Sequence, residues 1–188
     1  MKKELAKKVG VWALAVALLV AHFFFRTVAA HADSGESSWK QFFAKNGECR
    51  ISFPSAPQLV QQSLRLNEAG HRLNYDVYLA PYEDKGVCLL LIATYPMPLA
   101  GGHEIAGLEG LIRGIVGHNP ENKLVFADLK DFDGHPAMDF LVQSGASYFR
   151  GHALMVGNKL FLVAMEGKAH ERDEKTFSQY LKSFKLSK

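Results

Sequence analysis

Two histidine-bearing stretches and a pair of cysteines are the residues best equipped for chemistry in this chain. His103-Glu104 opens a helical pattern, as in zinc hydrolases where two histidines one turn apart hold the metal and the glutamate acts as base. That motif requires a second histidine at position 107, which is Gly107. His118, just past the same helical pattern, is accounted for as a cation near a helix C-terminus. His135 and His152, together with Asp133, Asp139 and Ser144, include the residue types of a base, an orienter and a nucleophile. No Gly-x-Ser-x-Gly elbow presents the serine, however, and no cysteine adjoins a histidine. His152 alternates with Tyr148 and Arg150 on one strand face, which predicts a solvated or rim position. Gly101-Gly102 and Gly134 lack the Lys-Ser or Lys-Thr of a phosphate loop, so they are turn glycines. These residues imply no catalytic group, no metal site and no cofactor.

Cys49 and Cys88 each lie in an apolar, strand-like stretch. Two readings stay open: a disulfide, or two inert core thiols. Without a neighbouring pair of histidines they make a poor zinc site. The patch with most to offer a partner is a polar-aromatic face formed by Tyr78, Tyr82, Tyr148 and Arg150, because tyrosine and arginine are favoured at interface hot spots. The plainer alternative is that these tyrosines only cover a sheet.

The elements that would position these groups begin after a leader. Lys2, Lys3, Lys7 and Lys8 precede a 17-residue apolar run, Val9 to Phe25, that ends at Arg26. Ala30-His31-Ala32 then supplies the small residues read by a signal peptidase, with cleavage before Asp33. The run also approaches the length that spans a bilayer, about 17 to 25 residues, so residues 1–32 are a signal peptide or a retained membrane anchor. In either case the lysines hold the N-terminus in the cytoplasm and place the remainder outside it, in the periplasm or tethered to the inner membrane. Membrane contact is expected only through residues 9–25. The leader carries five of the 22 Lys and Arg and one of the 19 Asp and Glu, leaving 17 basic and 18 acidic residues. Such a balance, with no basic stripe, disfavours nucleic-acid binding.

After a spacer at 33–38, residues 39–188 form a single domain. Trp39, Phe42 and Phe43 make an aromatic lead-in over one end of the core. Cys49, Ile51 and Phe53 alternate with Glu48, Arg50 and Ser52 in a half-buried strand that Pro54 and Pro57 terminate. Gln58 to Leu66 and Leu73 to Leu79 predict a hairpin, and the nearly uniform apolar run from Val87 to Tyr95 predicts a strand buried on both faces. Ile105, Leu108, Leu111, Ile112, Ile115 and Val116 then fall at helical spacing until Asn119-Pro120. Four further strands follow, at Leu124 to Phe132, Ala137 to Gln143, Ser147 to Val156 and Leu160 to Glu166. Turns at Asp133-Gly134 and Gly157-Asn158 join them. Phe177, Tyr180, Leu181 and Phe184 mark a closing amphipathic helix. Seven or eight strands and two helices in this order predict an α+β sandwich, an antiparallel-rich sheet covered by helices and preceded by an N-terminal hydrophobic helix.

Several of these segments resemble the Mog1/PsbP-like group of small sandwiches. Trp39 runs into Ile51-Ser52-Phe53-Pro54 with Pro57 after it. Asp131-Phe132-Asp133-Gly134-His135-Pro136-Ala137 resembles the group's strand-ending Gly-x-Pro turn. Arg150 to Leu162 resembles its long hairpin, with Val156-Gly157-Asn158-Lys159-Leu160 as the turn, and Phe177 to Phe184 its last helix. The resemblance covers nearly the whole of 39–188. It implies an exported binding, assembly or accessory protein without catalysis, and it supplies no functional residue to carry over. The expectation is therefore a non-enzymatic extracytoplasmic protein that binds a protein or envelope component. A hydrolase assembled from distant strands and a purely structural envelope protein are the alternatives.

Overall fold

A computed structural model of the protein describes residues 39–65, 71–96 and 103–187. The leader and the N-terminal hydrophobic helix expected within it lie outside the described residues. Among the described residues no helix is long and apolar enough to cross a membrane.

Chain order explains the main sheet. Strands β3 (Gln58–Arg65), β4 (Arg72–Tyr82) and β5 (Gly86–Thr94) form one antiparallel meander. Helix α1 (His103–His118) then carries the chain across to β6 (Asn122–Phe132), β7 (His135–Ser144), β8 (Ser147–Val156) and β9 (Lys159–Lys168), a second meander. The last of these docks antiparallel against β5, so the seven strands run in the order β3-β4-β5-β9-β8-β7-β6. Interior β5 and β9 are apolar on both faces because both are covered, as the unbroken run from Val87 predicts. The outermost β3 and β6 are mostly exposed.

Turn chemistry sets the register. Asp133 and Gly134 both adopt positive φ, 52° and 82°, the conformation of a tight two-residue hairpin turn whose twist matches its strands. The backbone N–H of Gly134 donates to the Asp131 carboxylate at 3.0 Å and closes that turn.

Ten strands are present among the described residues, more than the seven or eight expected, because two short segments join the expected Cys49–Phe53 strand in a small second sheet. Strands β1 (Lys40–Phe43), β2 (Cys49–Phe53) and β10 (Lys185–Leu186) pair antiparallel in the order β1-β2-β10. Two-residue β10 is too short to leave a periodic signal. The aromatic lead-in is therefore largely β1, with Phe43 59% exposed and Phe42 packed inward. Helix α2 (Glu174–Ser183) lies beside this sheet. Its N-cap is Asp173, whose carboxylate accepts from the N–H groups of Lys175 and Thr176 at 2.9 and 3.1 Å. The hydroxyl of Ser183 at its far end accepts from the N–H of Ser52 at 2.9 Å, tying α2 to β2.

Two cores result, one on each face of the large sheet. Leu108, Leu111, Ile112 and Ile115 of α1 pack in one cluster with Tyr75, Val77, Leu89, Phe140 and Leu162. The other gathers Cys49, Ile51 and Phe53 of β2 with Phe177 and Tyr180 of α2 and with Tyr78, Leu90, Leu154 and Phe161. Both cysteines are free and buried in this second core.

Candidate functional site

The four residues nominated as a binding face do not form one. Tyr78, Tyr82, Tyr148 and Arg150 are only 2%, 9%, 7% and 8% exposed. They share a sheet face as expected, but α2 and the small sheet cover that face, and of the small sheet only β2 was expected from the sequence pattern. The hydroxyl of Tyr78 accepts from the N–H of Lys45 at 3.0 Å, and its ring lies 4.9 Å from that of Phe42. Tyr82 packs against Trp39.

Arg150 is the most heavily used of the four. Its guanidinium lies 4.2 Å from the ring of Phe177 and 5.1 Å from that of Phe126. Nη1 donates to the carbonyls of Phe140 and Gly151 at 3.1 and 2.9 Å, and Nε donates to Glu174 at 3.1 Å. A second carboxylate, Asp139, lies 3.9 Å away. These bonds fasten the start of α2 to the middle of the sheet, so Arg150 is a structural clamp.

His152 also departs from expectation. It is buried, 3% exposed, where a solvated rim position was predicted. Its Nδ1 lies 2.7 Å from Asp139, while Nε2 has no hydrogen-bond partner among the described residues. Burial alone would raise the Asp139 carboxyl. The hydrogen bond to His152 and the charges of His152, Arg150 and Lys130 outweigh that and hold it below the ordinary carboxylate range. Phe132 packs on the imidazole at 5.3 Å. The pair thus has the geometry of a base and its orienter, with the imidazole buried and the carboxylate partly exposed.

Of the remaining candidates, Asp133 is a turn residue, and His103 and His118 stand at opposite ends of the 16-residue α1. Ser144 lines a cleft of about 370 Å³ where α1, the following turn and the β7–β8 hairpin meet. Its walls are Ile115 and His118 at the end of α1, Asn119 to Asn122, and Ser144 and Ser147 at the hairpin mouth. Val142, Tyr148, Phe149 and Glu166 complete the lining, so Tyr148 is the one residue of the nominated binding face that reaches this cleft. The turn is held in shape from within. Asn122 Nδ2 donates to the Ile115 carbonyl at 2.7 Å, the N–H of Glu121 to the Asn119 side chain at 3.0 Å, and the N–H of Asn122 to the Asn119 carbonyl at 2.9 Å. One free helix-end carbonyl is thereby satisfied without closing the cleft.

Glu166 is the chemically distinctive group there. It follows Leu160, Leu162 and Ala164 along β9 at alternate positions, so it points to the α1 side of the sheet, where it is half-buried. Burial pushes its carboxyl from 4.5 up to about 7. A carboxyl so tuned can donate a hydrogen bond while neutral or ionise to meet an incoming cation. Sequence reading took Glu166 only as the end of a strand. Its signal was parity: an acid in the inward register directly after an apolar run.

No family model matches this chain, and no curated protein matches it. Solved structures do. The solution structure of the cyanobacterial PsbP protein CyanoP from Synechocystis superposes with a TM-score of 0.54 at 13% identity, covering 84% of this chain and 98% of that one. A crystal structure from Bacteroides thetaiotaomicron gives 0.43 at 13% identity over 80% of this chain and 49% of the other. The fold of this chain is PsbP-like.

Proposed function

We propose that this PsbP-like chain is an exported, non-catalytic domain that binds a protein or envelope component through the cleft at Glu166. One observation carries the reading: a half-buried carboxyl with an elevated pKa faces an open cleft rimmed by His118, Asn119, Ser144 and Ser147. Perturbed carboxyls in clefts mark functional sites, and polar groups converging on a partly apolar floor are the usual makeup of a recognition site. The hydrolase alternative needs a pocket that collects His152, Asp139 or Arg150, and none of the three lines this cleft. Export is supported by the basic cluster and apolar run of residues 2–25.

Retention of the purified domain on envelope fractions of its host tests binding. Saturable retention, weakened about tenfold by Glu166→Lys, is expected, since loss of a central contact commonly costs more than 1 kcal/mol. Retention that does not saturate, or that Glu166→Lys leaves unchanged while circular dichroism shows a folded protein, refutes the reading. Recovery of the chain in the cytoplasmic fraction refutes export. A soluble form beginning at Asp33 or a full-length membrane form supports it.

A further inference from the structure

The two edges of the seven-stranded sheet are finished differently. On β3 the side chains are tied to the neighbouring strand: Gln61 donates to Asp76 at 2.8 Å, Ser63 to Asn74 at 2.6 Å, and Arg72 to Ser63 at 2.7 Å. On β6 they are not. Leu124, Val125 and Leu129 are 44%, 54% and 53% exposed, and Asp128 and Lys130 are exposed charges that form no ion pair among the described residues. Asp128 even lies opposite another acid, Asp139, in the β6–β7 register. An edge strand of this length with exposed apolar residues is a template for pairing.

The sequence of β6 specifies what would pair with it. A bulge between Leu124 and Phe126 interrupts the strand at one end and the turn at Asp133 ends it at the other, leaving Phe126 to Phe132 as regular backbone. That segment is self-complementary when laid antiparallel on itself about Leu129. Asp128 then faces Lys130 of the second copy, and the reverse pair repeats on the other side of the axis. Leu129 meets Leu129 on the axis itself, Ala127 faces Asp131, and Phe126 faces Phe132. Strand alternation puts positions 126, 128, 130 and 132 on one face and 127, 129 and 131 on the other, so every pair shares a face. Directly opposed unlike charges and apolar pairs are the stabilising units of a sheet, and a twofold axis requires a self-complementary patch.

We infer that β6 is a homodimerisation edge, joining two copies through Phe126–Phe132 into one continuous fourteen-stranded sheet. A single strand-to-strand seam is smaller than the roughly 1,200 Å² of standard interfaces, so association is weak and concentration-dependent. It gains from any tether that raises local concentration, such as retention of residues 1–32 in a membrane. This edge and the Glu166 cleft involve different residues, so each stands without the other.

Disulfide trapping in producing cells tests it, using a mild oxidant and reading the soluble and membrane fractions together. The axis places the two copies of residue 129 directly opposite, at a Cα separation of about 4.5 to 5.5 Å that a disulfide spans. Leu129→Cys is expected to give a covalent dimer and Leu59→Cys, on the opposite edge, is not. Adding Lys130→Asp sets acid against acid twice and is expected to lower the Leu129→Cys dimer yield on the order of tenfold. Adding Asp128→Lys as well swaps the charges and restores it, which separates lost pairing from lost folding. Equal yields from positions 129 and 59, or a swap that restores nothing while the protein remains folded, overturn the inference.

Discussion

Replacing Glu166 with glutamine changes stability in a pH-dependent way whose sign and size follow from the burial of that carboxyl. Its pKa is about 7 in the folded chain against 4.5 ordinarily. Between these values the folded state holds a proton that the unfolded state has released, so the wild-type protein loses stability as pH rises through this window and levels off above it. A difference of 2.5 units at 1.36 kcal/mol each is about 3 kcal/mol, and water reaching a half-buried group trims it to about 2 to 3. Glutamine has the shape of the neutral acid and does not ionise. Glu166→Gln is therefore expected to stabilise the protein by about 2 to 3 kcal/mol at pH 8 and by only a few tenths at pH 4.5. Urea denaturation of both proteins at the two pH values reads the difference, other carboxyls cancelling between them. In thermal unfolding the gain at pH 8 corresponds to roughly 4 to 12 °C. An offset equal at both pH values, or a variant less stable at pH 8, would refute the desolvated-carboxyl account.

Three further perturbations probe the scaffold. Arg150→Met keeps the apolar stem but removes the guanidinium's bonds to Glu174 and to the carbonyls of Phe140 and Gly151, leaving Glu174 to Arg172 and Asp139 to His152, at a cost of about 2 kcal/mol in chemical denaturation. Arg150→Lys recovers only part, since one ammonium cannot reproduce the fork. Gly151→Ala puts a Cβ 2.3 Å from the ring of fully buried Phe140, for a loss of about 2 kcal/mol. Phe140→Leu in the same chain is expected to relieve most of that clash, which a double-mutant cycle measures. Burial pushes the Cys49 thiol up to about 12 and Cys88 higher still, so neither reacts with a thiol reagent in the native protein at pH 8. Denaturant without reductant should then release two equivalents, and fewer would show a bridge.

Much of the architecture was legible because periodicity reports it directly. The alternation at Cys49, Ile51 and Phe53, the unbroken run from Val87 and the helical spacing from Ile105 each became the element they imply. The paired turn residues Asp133-Gly134 and Gly157-Asn158 placed their hairpins. The small sheet escaped because β1 mixes inward Phe42 with outward Phe43 and β10 is two residues long. That omission explains the misplaced site. Tyr148, Arg150 and His152 were assigned correctly to one face, but whether a polar strand face meets water or a second layer depends on what packs there, and strand parity does not encode it. Arg150 looked like a surface anchor because its partners, Phe177, Glu174 and the carbonyl of Phe140, are distant in the chain. Glu166 was available to the same parity rule, since it continues the inward register of Leu160, Leu162 and Ala164.

Recognition through the Glu166 cleft is tested most directly by site-specific photocrosslinking in the native host. A photoreactive residue replaces Ser147 on the cleft rim, and in a second strain Gln58 on exposed β3. The account predicts a discrete adduct from position 147 that is absent from position 58 and disappears when Glu166→Lys is added to a still-folded chain. No adduct from 147, or the same adducts from both positions, would contradict it.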